Sequence, residues 1–395
     1  MPTTITFFPV DNGDMTLVKF GDADATTLLI DMHIRMDTDN SSTDTRDVAK
    51  DLRDRLKKDE NGRPYVDAFL LSHPDEDHCR GLTRHFHLGP LSDYSDDKKD
   101  YKDKKIVIRE IWSSPIVFRR ASKTHTLCDD AKAFNSEARR RIAVNRDKNF
   151  SVVAGDRILV MGEDIDGKTD DLGPILKKVN ECFSVINGKQ SAFFSAYLLG
   201  PLNAQDDEEE EESLAKNQSS VIMNITLAAD AQTPDGVKFL TGGDAEVFIW
   251  NRLWQRHKHE SEVLEYDLLQ APHHCSWHSF SFDSWSDYGE KAKTDPDARS
   301  ALSQARNGAI VVASCKPIAD DDKDPPCIRA KREYLAIVGN AKDRFYCTGE
   351  YPDTKAVEPL VFTVTALGVQ PPSKKESGSK AAAVITAART PMPHG

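Results

Sequence analysis

Within six residues, the segment His73-Pro74-Asp75-Glu76-Asp77-His78 supplies two imidazoles and two well-spaced carboxylates, directly after an apolar run ending at Leu71. In an extended loop, positions 73, 75 and 77 project to one side, and a helix starting near 78 turns His78 back toward the same point. Histidine nitrogen with carboxylate oxygen is a borderline-hard donor set, compatible with zinc and with manganese. Two further segments repeat the pattern. Asp244 follows the apolar Leu240 through the turn Thr241-Gly242-Gly243, and the adjacent His273 and His274 follow the apolar stretch that starts at Leu268. Taken singly, each has a plain structural explanation: a charged helix cap, a turn aspartate, and core-satisfied or capping histidines. Together, three strand ends carrying donors predict one pocket for a divalent metal, holding one or two ions.

The elements that must deliver these residues are legible as short apolar runs. Thr4 to Phe8, Met15 to Phe20 and Leu28 to Asp31 read as an antiparallel opening, with the turn Asp11-Asn12-Gly13-Asp14 between the first two. Later strands are expected at 67–72, 106–112, 157–161, 194–199, 220–227, 238–241, 268–270, 309–313 and 360–366. Val48, Leu52 and Leu56 recur at fourfold spacing, predicting an amphipathic helix over 43–58, and a second helix is expected over 127–146. Strands that cluster and are punctuated by helices fit an α/β sandwich of two sheets covered by helices. A doubly wound parallel sheet is the main alternative. One domain is expected over residues 1–368, with polar insertions near 91–105 and 203–216. Residues 369–395, rich in Lys, Ser, Ala and Pro, read as a disordered tail able to recruit a protein partner.

Composition narrows the function. The 395 residues carry a formal net charge of −12, which argues against a sequence-blind polyanion-coating protein but not against a nuclease. Seven of the negative charges fall in the run from Asp206 to Glu212. The seven cysteines are scattered without a C-x-x-C pair, and the N-terminus has no charged-then-apolar leader, so reduced thiols and a cytoplasmic location are expected. No apolar run approaches the ~20 residues needed to span a bilayer, so membrane insertion is not expected.

The order of these segments resembles the metallo-β-lactamase superfamily, in particular the hydrolase domain of ComEC-type DNA-uptake proteins and their stand-alone relatives. Asp11-Asn12-Gly13-Asp14 resembles the Gly-Asp end of that group's D-x-G-x-G-D start, two residues shorter. Ser72 to Leu82 resembles its S-H-P-D-x-D-H-x-x-G-L signature, Asn217 to Ser220 its N-x-x-S segment, Leu240 to Asp244 its L-x-T-G-D, and Ala271 to Ser276 its V-P-H-H-G-S. The resemblance spans most of residues 4–366. It implies an αββα fold of two mixed sheets flanked by helices. It also implies that His73 and Asp75 serve one metal, Asp77 and His78 the second, and Asp244 bridges, with His274 a ligand oriented by His273. Asp77, His78 and Asp244 would then carry catalysis, Asp77 by orienting the attacking water. Three departures stand out. Asn217 takes the place of a histidine ligand, Cys275 replaces glycine, and Asp324-Pro325-Pro326 is a reduced form of a G-H-P segment.

The resemblance implies a metal-dependent phosphodiesterase or nuclease acting on nucleic acid or a nucleotide, with the basic segments Lys98 to Lys105 and Arg139 to Arg146 available to track phosphates. The same metal pair attacks carbonyl carbon, so a hydrolase of small esters, lactones or thioesters is a second reading. A third is a metal-stabilised regulatory protein, motivated by Asn217 and Cys275. Ser276 and His278 lie close enough in sequence to bind a phosphate or protonate a leaving oxygen.

Overall fold

The computed structural model describes residues 1–372 apart from 39, 41, 120–125, 203–218 and 235. The expected insertion near 203–216, Asn217 and nearly all of the expected tail lie outside the described residues. The architecture is mixed α/β with two large mixed sheets, which excludes a single doubly wound sheet.

The first sheet runs Leu176–Lys177, Arg157–Met161, Ile106–Ser113, Pro64–Leu71, Thr27–Ile30, Thr16–Lys19, Thr4–Phe7, Leu360–Thr365 and Gly368–Gln370. Neighbours are parallel from Leu176–Lys177 to Thr27–Ile30 and antiparallel beyond it. The last strand takes in Val369 and Gln370, so the ordered domain extends past residue 368. The second sheet runs Cys182–Phe183, Phe194–Gly200, Ile222–Leu227, Val237–Thr241, Tyr266–Gln270, Ala305–Ala313 and Phe345–Cys347. Its first four strands are antiparallel and its last four parallel.

The sheets face each other across one apolar layer. Phe7 meets Phe239 edge-to-face at 5.9 Å and Phe20 meets Phe194 at 5.7 Å, each pair joining one sheet to the other. Alternation shows which strands have two unlike faces: Leu360–Thr365 alternates strictly between buried and part-buried residues, whereas Pro64–Leu71 is buried throughout. The outer face of the first sheet is covered by helix Asp129–Asp147, whose Phe134 packs edge-on against Phe69. Helices Val247–His257, Pro296–Leu302 and Ile328–Ile337 cover the second sheet, burying Trp250, Leu253, Leu302 and Tyr334 against Leu240, Leu269 and Val311.

One sequence expectation requires correction. The helix predicted over 43–58 is confined to Val48–Arg53, capped by the Asp47 side chain, and the chain then pairs Lys57–Lys58 with Pro64 and Tyr65. The polar segment at 91–105 is tied to the rest of the fold. Arg63 holds Asp97 through two hydrogen bonds of 2.6 Å, and the Tyr94 hydroxyl donates to the Lys105 carbonyl. No described helix is long and apolar enough to cross a membrane.

Candidate metal centre

Every residue of the centre leaves the C-terminal end of a strand or a hairpin loop at the same end of the two sheets. Asp31 follows Thr27–Ile30, His73 follows Pro64–Leu71, Asp244 follows Val237–Thr241, and Ser314 follows Ala305–Ala313. His273 and His274 follow Tyr266–Gln270, and Asp14 closes the hairpin between Thr4–Phe7 and Thr16–Lys19. Parallel strands that end together create such a crevice. Hydrogen bonds lock the ends to one another: Asp14 N–H to the Asp77 carbonyl at 3.2 Å, His273 N–H to Gly243 at 3.1 Å, and Val221 N–H to Ser72 at 3.0 Å.

Local backbone conformation aims the side chains. His273, His274 and Cys275 are consecutive left-handed residues, with φ of 49°, 52° and 66°, a conformation that costs non-glycine residues about 1–3 kcal/mol each. This sharp turn points both imidazoles at Asp244. At Gly243, φ is +50°, and a Cβ there would lie 2.7 Å from the Ser72 Oγ, so only glycine lets the Asp244 turn approach the His73 loop. At Gly13, a Cβ would lie 2.2 Å from the buried His33 ring, so glycine likewise brings Asp14 in.

The Asp244 carboxylate sits at the centre, 4% exposed, and its two oxygens face different partners. Oδ1 lies 3.0 Å from His78 Nε2 and 3.5 Å from His274 Nε2. Oδ2 lies 3.7 Å from His73 Nε2 and 3.8 Å from His273 Nε2. Asp77 Oδ2 adds to the first group at 3.2 Å from His274 Nε2, and Asp75 Oδ2 adds to the second at 3.8 Å from His73 Nε2. Buried Asp14, His78, Asp244 and His274 each offer a ligand atom, all within 4.8 Å of one another, so this cluster can hold a metal ion. Asp14 Oδ1, His73 Nε2, His78 Nε2, Asp244 Oδ1 and His274 Nε2 are buried without a hydrogen-bond partner of adequate geometry. Such a concentration of inward-facing donors and acceptors is an arrangement that a cation could satisfy.

A second layer fixes the rings. Asp31 Oδ2 sits 2.8 Å from His78 Nδ1 and accepts the Ser72 hydroxyl at 2.6 Å, while Asp31 Oδ1 accepts the Ser72 N–H at 2.7 Å. His274 Nδ1 lies 3.2 Å from the Ser314 carbonyl, which presents its Nε2 to Asp77 and Asp244. Each outer contact fixes which nitrogen remains for an ion. His273 therefore does not orient His274; its own Nδ1 lies 3.4 Å from Glu246.

Charge follows geometry. Burial would raise the Asp244 carboxyl, but the imidazoles of His274, His78, His273 and His73 hold it well below the usual carboxylate range. Burial opposes charge on His78, yet Asp244 and Asp31 push it well above an ordinary histidine. His274 is raised in the same way by Asp244, Asp14 and Asp77. His73 is lowered, by burial and by the neighbouring His78. His33, beneath Gly13, is pushed down to about 4 by burial.

Of the residues expected from sequence, His73, Asp75, Asp77, His78, Asp244, His273 and His274 come together. The expected extended loop is shorter than predicted, because a helix begins at Glu76 and carries Asp77 and His78 on its first turn. Ser276 is buried and caps the next turn by accepting the His278 N–H at 3.0 Å. His278 is on the rim, 42% exposed and 4.0 Å from Asp324. Cys275 belongs to the second core, where burial holds its thiol protonated, so it supplies no thiolate. Asp14 and Asp31 were not anticipated as site residues, although Asp14 ends a Gly-Asp turn and Asp31 ends an apolar strand, the context that singled out Asp244.

The basic segments are largely committed elsewhere. Arg140 and Arg141 hold Glu137, Arg146 holds Asp171, and Arg139 donates to the Phe118 carbonyl. Lys99 pairs with Asp96, and Lys105 donates to the Thr83 carbonyl.

No protein-family model matches the chain, and no curated protein matches it. Among solved structures, it is similar to a protein of unknown function from Enterococcus faecalis V583, at 12% identity and a TM-score of 0.30. That match covers 77% of this chain, which spans 56% of the other's length.

Proposed function

We propose that this chain is a metal-dependent hydrolase of the metallo-β-lactamase fold that cleaves phosphodiester bonds, in which the residues around Asp244 would hold one or two divalent cations, zinc or manganese. The observation that carries the reading is the division of the Asp244 carboxylate between two histidine pairs, His78 with His274 on Oδ1 and His73 with His273 on Oδ2. Asp14 and Asp77 complete the first set and Asp75 the second. The loss of a histidine at Asn217 is offset in this reading by His273, which faces the same oxygen as His73.

Bound there, divalent cations would supply acidification of a water molecule and neutralisation of charge that builds up on the attacked centre. Asp77 is the one carboxylate of the inner group with substantial exposure, 36%, and is held at 3.2 Å by His274. It would orient the attacking water. His78 is fixed by Asp31 so that its Nε2 stays on the Asp244 side, which keeps the carboxylate in place through turnover.

A second reading, hydrolysis of small esters, lactones or thioesters, is favoured by one observation: Arg139, Arg140 and Arg141 are engaged within the fold by the Phe118 carbonyl and Glu137. The full chain, stripped and reloaded with manganese or zinc, should be assayed on bis-p-nitrophenyl phosphate, labelled DNA and p-nitrophenyl esters. We expect metal-dependent phosphodiester cleavage that falls at least ~100-fold in Asp244→Ala. Turnover of the carboxylic esters alone would select the second reading, and no metal-dependent hydrolysis of any of them would overturn both.

A further inference from the structure

Two thiols meet beside the metal loop, and neither takes part in the chemistry above. Cys79 is buried at the end of helix Glu76–Cys79, immediately after His78. Cys128 is the N-cap of helix Asp129–Asp147, part-exposed, with its Sγ accepting the Ala131 N–H at 3.4 Å. Their sulfurs lie 3.6 Å apart. A disulfide requires about 2.05 Å, a closure within reach of side-chain rotation and a small shift of backbone.

The two backbones are already held together. Asp130, two residues beyond Cys128, accepts the Gly81 N–H and the Thr83 N–H, both at 2.8 Å, and the Thr83 hydroxyl at 2.6 Å. The segment after Cys79 is thereby clamped onto the first turn of the long helix, so approach of the sulfurs needs no search.

The thiols are also unlike. The Cys79 S–H lowers Cys128 to about 7, helped by the Ala131 N–H and opposed by burial and by the carboxylates of Asp130 and Glu76. Cys79 is buried out of reach of solvent. One reachable thiolate beside one sheltered thiol is the arrangement of an attacking and a resolving cysteine. Cys315 and Cys347 are equally close, at 3.6 Å, but both are buried, so an oxidant does not reach them.

We propose that Cys79 and Cys128 form a reversible, peroxide-responsive dithiol that tethers the helix carrying Asp77 and His78 to the long helix. Cys128 Sγ attacks one peroxide oxygen, breaking the O–O bond to give a sulfenic acid and hydroxide. Cys79 Sγ then displaces the sulfenic oxygen, its proton leaving with that oxygen, so that a disulfide and water form. Two electrons pass from the thiol pair to the peroxide, and a dithiol reductant returns them. The device does not depend on which cation the centre binds.

The full-length chain should be treated with hydrogen peroxide at neutral pH, alkylated, digested without reductant and mapped by mass spectrometry. The expected product is one linked peptide pair joining Cys79 to Cys128, lost on treatment with dithiothreitol. Alkylation of Cys128 should reach half its maximal rate near pH 7, against about 8.5 for an unperturbed thiol. Cys79→Ser should leave a sulfenic acid on Cys128 that dimedone traps. Cys128 oxidised to sulfinic acid with no linked peptide, Cys128 left unmodified, or Cys128 joined instead to Cys182 would each overturn the proposal, and the mapping on the unsubstituted chain reads all three.

Discussion

At the scale of single residues, the centre is an alternation of imidazole and carboxylate in which each ring has one nitrogen held from outside and one turned inward. Asp31 is the clearest of the outer holders. Asp31→Asn keeps the shape but removes the charge that fixes His78, and is expected to weaken metal affinity about 10- to 100-fold. Chelator competition measures this, and unchanged affinity would refute the role. Protonation supplies a second prediction. In the metal-free protein His78 and His274 are raised above the ordinary histidine value of 6.5, so they carry protons at neutral pH. Their contribution to apo stability is fully present below the unfolded value and is lost as pH rises through the raised one. Metal binding needs the neutral rings, so it releases protons, and affinity should climb with pH until the raised histidine values are passed and then level off. Calorimetry in buffers of different ionisation enthalpy should show proton release, and a pH-independent affinity would contradict it. The histidines and Asp244 were legible because each ends an apolar run. Asp14 and Asp31 have a similar context but stand far in sequence from residues 73–78, 244 and 273–274, and only the pairing of strands reveals those partners.

At the scale of elements, tight turns and a buried ion pair hold the pieces in register. Gly243→Ala places a methyl against Ser72 in a left-handed turn and should cost about 1–3 kcal/mol of stability, read by urea unfolding. Arg141 is 1% exposed, holds Glu137 at 2.7 Å and donates to the carbonyls of Ile108 and Arg157, tying the long helix to the first sheet. Arg141→Ala leaves Glu137 with a weakened partner set in a buried site, and a loss of about 3–5 kcal/mol is expected from the same measurement. Strands were read from sequence nearly residue for residue where the apolar run was buried on both faces, as in Arg157–Met161. The first helix was overestimated because Leu56, which fits the fourfold spacing, is buried by a turn rather than by helix, the helix having ended at Arg53. Periodicity reports which side chains are inside and not which backbone put them there.

At the scale of the whole molecule, the two sheets share one apolar layer, and the donors meet at one end of it. Mixed α/β architecture was legible in the clustering of strands. The order of strands was not, because it depends on contacts such as Leu360–Thr365 returning to pair with Thr4–Phe7 across nearly the whole chain. Since the centre links residues of both sheets, a bound cation stabilises their union: at a free metal concentration 1,000 times Kd the gain is about 4 kcal/mol. Chelation should therefore lower the melting temperature by several degrees, and a melting temperature indifferent to chelator would speak against resident metal. The most direct measurement is anomalous diffraction from crystals of the manganese-loaded chain. One or two anomalous peaks against the oxygens of Asp244 are predicted, about 3.5–4 Å apart where there are two. No peak between the 73–78 loop and residues 244 and 274 would contradict the account.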